Sequence, residues 1–142
     1  MLRILKIMKW VAISIAVVLL LLALFWKSIL SFIFHDLPFM GKSFDRAIWF
    51  SALNCKSDSD CSEKELACLR GSMYRDLKKN YLLVGKPKPT ITQLIGEPTR
   101  TTQDNCLDYE LGYCSGLKID TDYLRVCFDH SEKIANVYHW QS

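Results

Sequence analysis

The sequence predicts an α+β fold, with an N-terminal transmembrane helix followed by helices packed on a three-stranded antiparallel sheet. Three observations lead there. Residues 10–26 carry no charged side chain. Apolar residues at helical spacing, closed by glycine and proline stops, fill the middle of the chain. From Cys106 onward the pattern alternates as strands do.

The apolar run begins at Trp10 and ends at Trp26. A helix rises about 1.5 Å per residue, which separates the two indoles by about 24 Å. A bilayer core is about 30 Å thick and takes about 20 apolar residues. Ile7, Met8, Ile29 and Leu30 supply the remainder. Lys9 and Lys27 can snorkel, and Trp10 and Trp26 stand where an aromatic belt would. Membrane lipid is therefore the expected partner of residues 7–34, and residues 1–34 form the expected signal-anchor. The run ends in Leu-Phe-Trp-Lys without an A-x-A site, which favours an uncleaved anchor over a signal peptide.

Charge sets the expected orientation. The formal net charge is +3, from 18 basic and 15 acidic residues, and Arg3, Lys6 and Lys9 all precede the apolar run. The positive-inside rule places the N-terminus in the cytoplasm and the C-terminal domain in the periplasm, as a single-pass protein of the inner membrane. The rest of the chain is neutral, so it offers no basic face for nucleic acid.

Residues 35–42, with Pro38 and Gly41, read as a linker, and 43–142 as the periplasmic domain. Ser43 is the expected cap of a helix running to Asn54, with Phe44, Ile48, Trp49 and Leu53 apolar. Lys56–Cys61 reads as a polar loop. Ser62-Glu-Lys-Glu65 matches a capping box. Leu66, Leu69 or Arg70, Met73, Leu77 and Tyr81 continue at helical spacing, with Gly71 as a weak point. Lys88–Ile95 is a short helix with Pro89 in its first turn, closed by Gly96 and Pro98. The expected strands are Cys106–Tyr113, Tyr123–Asp129 and Ile134–Trp140.

Six cysteines, Cys55, Cys61, Cys68, Cys106, Cys114 and Cys127, all follow the apolar run. An even count in a small exported domain implies a disulfide framework. If all pair, one bridge at least joins Cys55, Cys61 and Cys68 to the later three. Cys106 and Cys114 on one extended strand would lie about 26 Å apart, far beyond disulfide reach. The chain has no C-x-x-C, and His35, His130 and His139 are scattered, so no metal or other cofactor is expected.

The acid–base candidates are Asp108, Glu110, Asp120, Asp122, His130 and His139. Asp108 and Glu110 alternate with apolar residues, as a solvent face does. Asp120, Asp122 and His130 fall in expected turns, and His139 reads as a strand residue. With no nucleophile elbow or phosphate loop, the expectation is a protein that is not an enzyme. Tyr109, Tyr113, Tyr123, Tyr138 and Trp140 are the candidate binding surface, because aromatics anchor interfaces.

The segment Leu83-Val84-Gly85, then Ile91, then Leu94-Ile95-Gly96-Glu97-Pro98, resembles small bacterial envelope domains of the BamE (SmpA/OmlA) type. Their fold is related to β-lactamase-inhibitory-protein domains. The resemblance covers Gly71 to Trp140 and implies a turn-glycine, a short helix and three antiparallel strands. Such domains bind other proteins. The expected function is thus a non-enzymatic, membrane-anchored binding module with an envelope protein as partner. The alternative is an immunity or inhibitor protein that neutralises a periplasmic toxin or enzyme. The chain departs from that family in lacking its acylated cysteine, the first cysteine being Cys55, and in carrying a membrane helix instead; Pro87 stands where the family's helix cap is a Ser or Thr.

Overall fold

The computed structural model describes residues 2–52, 54 and 56–142, with side chains described from Lys6 onward. The chain forms two units, one ending at Ile33 and the other Phe34–Ser142. The first is α1 (Leu2–Ser31), 30 residues and so about 45 Å long. It is long and apolar enough to be a membrane span or signal anchor. Lys9, Trp10, Trp26 and Lys27 are all exposed on it.

A π turn, Phe32–Asp36, runs across the division between the two units, and a 3-10 turn, Leu37–Phe39, follows it in the second unit. The segment expected as a linker is partly built into the domain. Phe39 is 5% exposed and its ring packs on Tyr74 and His139. Lys42 N–H donates to Ser72 O. α2 (Arg46–Ser51) is capped by Asp45 rather than Ser43: its Oδ1 accepts from Ile48 N–H at 3.0 Å. Trp49 is fully buried and donates Nε1–H to Ile95 O at 2.9 Å. Leu53, expected on the apolar side of this helix, lies outside the described residues.

α3 (Asp58–Leu66) begins inside the expected polar loop, and the Ser62–Glu65 box lies within it. Ser57 accepts from Asp60 N–H and so supplies a cap further upstream. Asp58 and Asp60 then sit in the first turn, where the helix dipole favours anions. The helical path breaks before Gly71, as expected. It resumes as a 3-10 turn (Gly71–Met73), α4 (Tyr74–Asp76) and a π turn (Leu77–Tyr81). Gly71 is required there, because a Cβ would collide with the sulfurs of Cys68 and Cys114. α5 (Lys88–Ile95) matches its expected bounds and ends at Gly96, with φ +87°.

The sheet has four antiparallel strands rather than three: β1 (Arg100–Thr101), β2 (Cys106–Gly112), β3 (Asp122–Phe128) and β4 (Ile134–Gln141), in that order. The extra strand is a two-residue edge, too short to show alternation. Leu107, Tyr109 and Leu111 of β2 share a face with Leu124, Val126 and Phe128 of β3. That face joins Ile91, Ile95, Trp49, Met73 and Leu77 in the core. Two disulfides have both cysteines among the described residues. Cys68–Cys114 ties the turn after α3 to the end of β2, joining the two halves of the domain. Cys106–Cys127 links directly opposed residues of β2 and β3. Cys61 is also disulfide-bonded, and Cys55 lies outside the described residues.

Candidate functional site on the open face of the sheet

The second sheet face carries Arg100 from β1, Asp108 from β2, Tyr123 and Arg125 from β3, and Tyr138 and Trp140 from β4. The register sets Arg100 against Asp108, Asp108 against Arg125, and Arg125 against Tyr138. Side chains two residues apart on a strand share a face, which brings these six together.

Asp108 organises the group. Its side chain is fully buried, although alternation had suggested a solvated carboxylate. Arg125 donates Nε–H to Oδ1 at 2.6 Å and Nη2–H to Oδ2 at 2.7 Å. Arg100 donates Nε–H to Oδ2 at 3.0 Å. Burial pushes the Asp108 carboxyl up, but these bonds outweigh it and hold the carboxyl below its ordinary value. The Arg125 guanidinium is raised in turn, chiefly by the same bonds. Both guanidinium groups also lie over aromatic rings. Arg100 is 4.5 Å from the Tyr123 centroid and 4.8 Å from that of Trp140, and Arg125 is 4.5 Å from that of Trp140. Tyr123 and Trp140 stack at 5.1 Å. Such contacts add about 0.5–1 kcal/mol each at exposed sites.

The structure divides the aromatic set read from the sequence. Tyr123, Tyr138 and Trp140 share the open face, each partly exposed. Tyr109 does not belong to it. It is in phase with Leu107 and Leu111, is fully buried in the core, and leaves a binding surface for that reason. Tyr113 lies past the end of β2, where the chain bends. The arginines that complete the face were missed. Their signal is weak, since an arginine on a solvated strand face is ordinary.

Two other clusters bear on chemistry. Asp122 is the first residue of β3 rather than part of a turn, and it is fully buried. Its Oδ1 meets Ser115 Oγ–H and His139 Nε2, each at 2.6 Å, and its Oδ2 accepts from Cys114 and Ser115 N–H at 2.7 Å. A serine relay needs the imidazole between hydroxyl and carboxylate. Here the carboxylate stands in the middle, so it holds the serine proton instead of passing it on. Burial raises the Asp122 carboxyl, and the bonds from His139, Ser115 and the backbone overcome this and lower it. No local motif announces Ser115. Asp120 and His130 are exposed, in the β2–β3 and β3–β4 connections.

The last cluster surrounds Arg70. This side chain lies over Trp49 at 3.9 Å and donates Nη1–H to Glu110 O at 2.8 Å, beyond the point where β1 ends. Its Nε and Nη2 lack hydrogen-bond partners among the described residues. Burial brings the guanidinium down to about 10, with Glu110 opposing. It lines a cavity of about 120 Å³ with Glu65 and Glu110, room for about four waters. Among the described residues no three His, Cys, Asp or Glu side chains are placed to hold a metal.

No family model, curated protein or solved structure matches the chain. The functional reading therefore rests on the residues themselves.

Proposed function

We propose that this chain is a non-enzymatic protein-binding module, held in the inner (cytoplasmic) membrane by α1 with its C-terminal domain in the periplasm. The open face of the sheet is its contact surface. The observation that supports this most is the composition and rigidity of that face. Tyr, Trp and Arg dominate interface hot spots, and here one buried carboxylate fixes both arginines, which lie over the stacked Tyr123 and Trp140, with the Cys106–Cys127 disulfide beside them. Fixed side chains lose little entropy on binding. Arg100 and Arg125 share the single Asp108 carboxylate, which holds both guanidinium groups in place on that face. The partner is a protein of the envelope. The resemblance to BamE-type envelope domains points the same way.

Periplasmic placement draws support from α1, the basic residues before its apolar stretch, and the disulfides beyond it. N-terminal sequencing of the mature chain tests the anchor: a start at residue 27 or later overturns it. A photoreactive amino acid at Tyr138, in intact cells, tests the surface. One discrete protein adduct is expected, and Arg100→Glu should abolish it. Adducts no stronger than those from exposed Lys79 on the helical side would reject the reading.

The pre-organised face also favours a narrower form, an immunity or inhibitor protein that blocks a periplasmic toxin or enzyme. Deleting the gene should then sensitise cells to a toxin encoded beside it; unchanged survival rejects this form.

A further inference from the structure

The loop between β2 and β3 carries two of the three most exposed large apolar side chains described in Phe34–Ser142. Leu117 is 78% and Ile119 69% exposed, and the third, Val84, is 74% exposed. Lys118 stands between the loop pair and donates Nζ–H to Leu66 O at 3.1 Å. Leu66 is itself exposed, and Leu37 lines a groove with Lys118. Leu37, Leu66, Leu117 and Ile119 therefore gather at one end of the domain. That end is where the domain's chain begins. Gly116 N–H donates to Phe34 O at 2.9 Å, and Phe34 follows the last residue of α1 by three positions. Only Phe32 and Ile33 separate Ser31, the last residue of α1, from the residue to which this loop is bonded.

We propose that the β2–β3 loop is a second membrane contact. Leu117 and Ile119 enter the interfacial region of the bilayer that α1 crosses, with Lys118 at headgroup level. The proposal rests on the reading of α1 as a membrane span. Apolar side chains displayed on a loop tip lose contact with water when they enter an interface, and a flanking lysine keeps its charge wet while its stem is covered. The domain beyond α1 is near neutral, so apolar partition rather than lipid charge drives the contact. Val84 is the internal comparison. It precedes Gly85, whose N–H donates to Ile134 O at the start of β4. That is the opposite end of the sheet, about 20 Å away for strands of this length.

The test uses the full chain in its native membrane, with a benzophenone amino acid placed singly at positions 20, 84, 117 and 119. All four replace exposed side chains, and mobility on non-reducing gels checks that the disulfides form. Phospholipid adducts, identified by mass and by phospholipase sensitivity, are expected at 20, 117 and 119 and not at 84. Lipid adducts at 20 but not at 117 and 119 overturn the loop contact and leave the anchor standing. Equal lipid labelling at 84 also overturns it, as do protein adducts replacing lipid at 117 and 119. No lipid adduct at 20 overturns anchor and loop together. If one loop variant fails to fold, the other decides alone.

Discussion

Asp108→Asn is the sharpest probe of the open face. The amide keeps the shape and removes the charge that three guanidinium hydrogen bonds rely on. Breaking a fully buried ion pair costs about 3–5 kcal/mol. Here the carboxylate is fully buried, but the Arg125 and Arg100 side chains are 21% and 45% exposed. Both can recover water, which brings the expected loss to about 2–3 kcal/mol. For a domain of this size that lowers Tm by roughly 10–15 °C. The assay is thermal unfolding of the full chain in detergent micelles, followed by near-ultraviolet circular dichroism. The Tyr123–Trp140 stack should lose signal before melting begins, because the arginines that lie over its rings are no longer held. The pH dependence has a definite sign. A carboxyl lowered in the folded state stabilises above its unfolded value near pH 4, and that stability is lost as pH falls through the folded value. Wild type should therefore weaken more steeply below about pH 4 than Asp108→Asn. A variant that melts within about 3 °C of wild type, disulfides intact, would refute the claim that Asp108 organises the face.

Three further outcomes follow from the core. Replacing Cys68 and Cys114 by alanine frees a 46-residue separation against 21 for Cys106 and Cys127, so chain entropy predicts losses of about 4 and about 3 kcal/mol; urea midpoints of the two pair variants check the order. Gly71→Ala drives a methyl into the Cys68–Cys114 bridge, and a thiol count on the oxidised protein should show free sulfhydryls. Arg70→Met should be neutral or stabilising by about 1 kcal/mol, because the lost bond to Glu110 O is offset by removing a buried, half-partnered charge; destabilisation beyond about 2 kcal/mol in urea would contradict that.

Much of the fold was legible because the signals were local. α5 lies between Pro89 and Gly96-Glu-Pro98, and no tertiary contact is needed to place it. The three long strands followed from alternation, and the same alternation puts Tyr109 in phase with Leu107 and Leu111, hence in the core. The helix before Gly71 was misplaced because two serines offer caps. Ser57, followed by Asp58 and Asp60, starts the helix earlier and makes the Ser62–Glu65 pattern redundant. The candidate site was legible only in part. Alternation assigns Asp108 to the open face correctly. Its burial goes with the hydrogen bonds from Arg100 and Arg125, which the register sets on either side of it from other strands. Ser115, Asp122 and His139 meet for the same reason: a bend after Gly112 returns the chain to the start of β3, opposite the end of β4.

The carboxylates also pull in opposite directions along the pH axis. Asp108 and Asp122 are both lowered, so together they stabilise the domain as pH rises to about 4. Glu110 is raised, first by burial and then by Glu65, with Arg70 opposing. Its protonated form is the one the fold prefers. Stability from that source is fully present below the unfolded value and is lost as pH rises through the folded one. Glu110→Gln keeps the neutral form at every pH. The variant should match wild type at pH 4 and exceed it increasingly towards pH 7. The gain should stay under about 1 kcal/mol, because Glu110 is only half-buried and water screens it. Urea midpoints at the two pH values decide the matter. A gain at pH 4 equal to that at pH 7 would show that packing, rather than ionisation at the edge of the Arg70 cavity, governs this position.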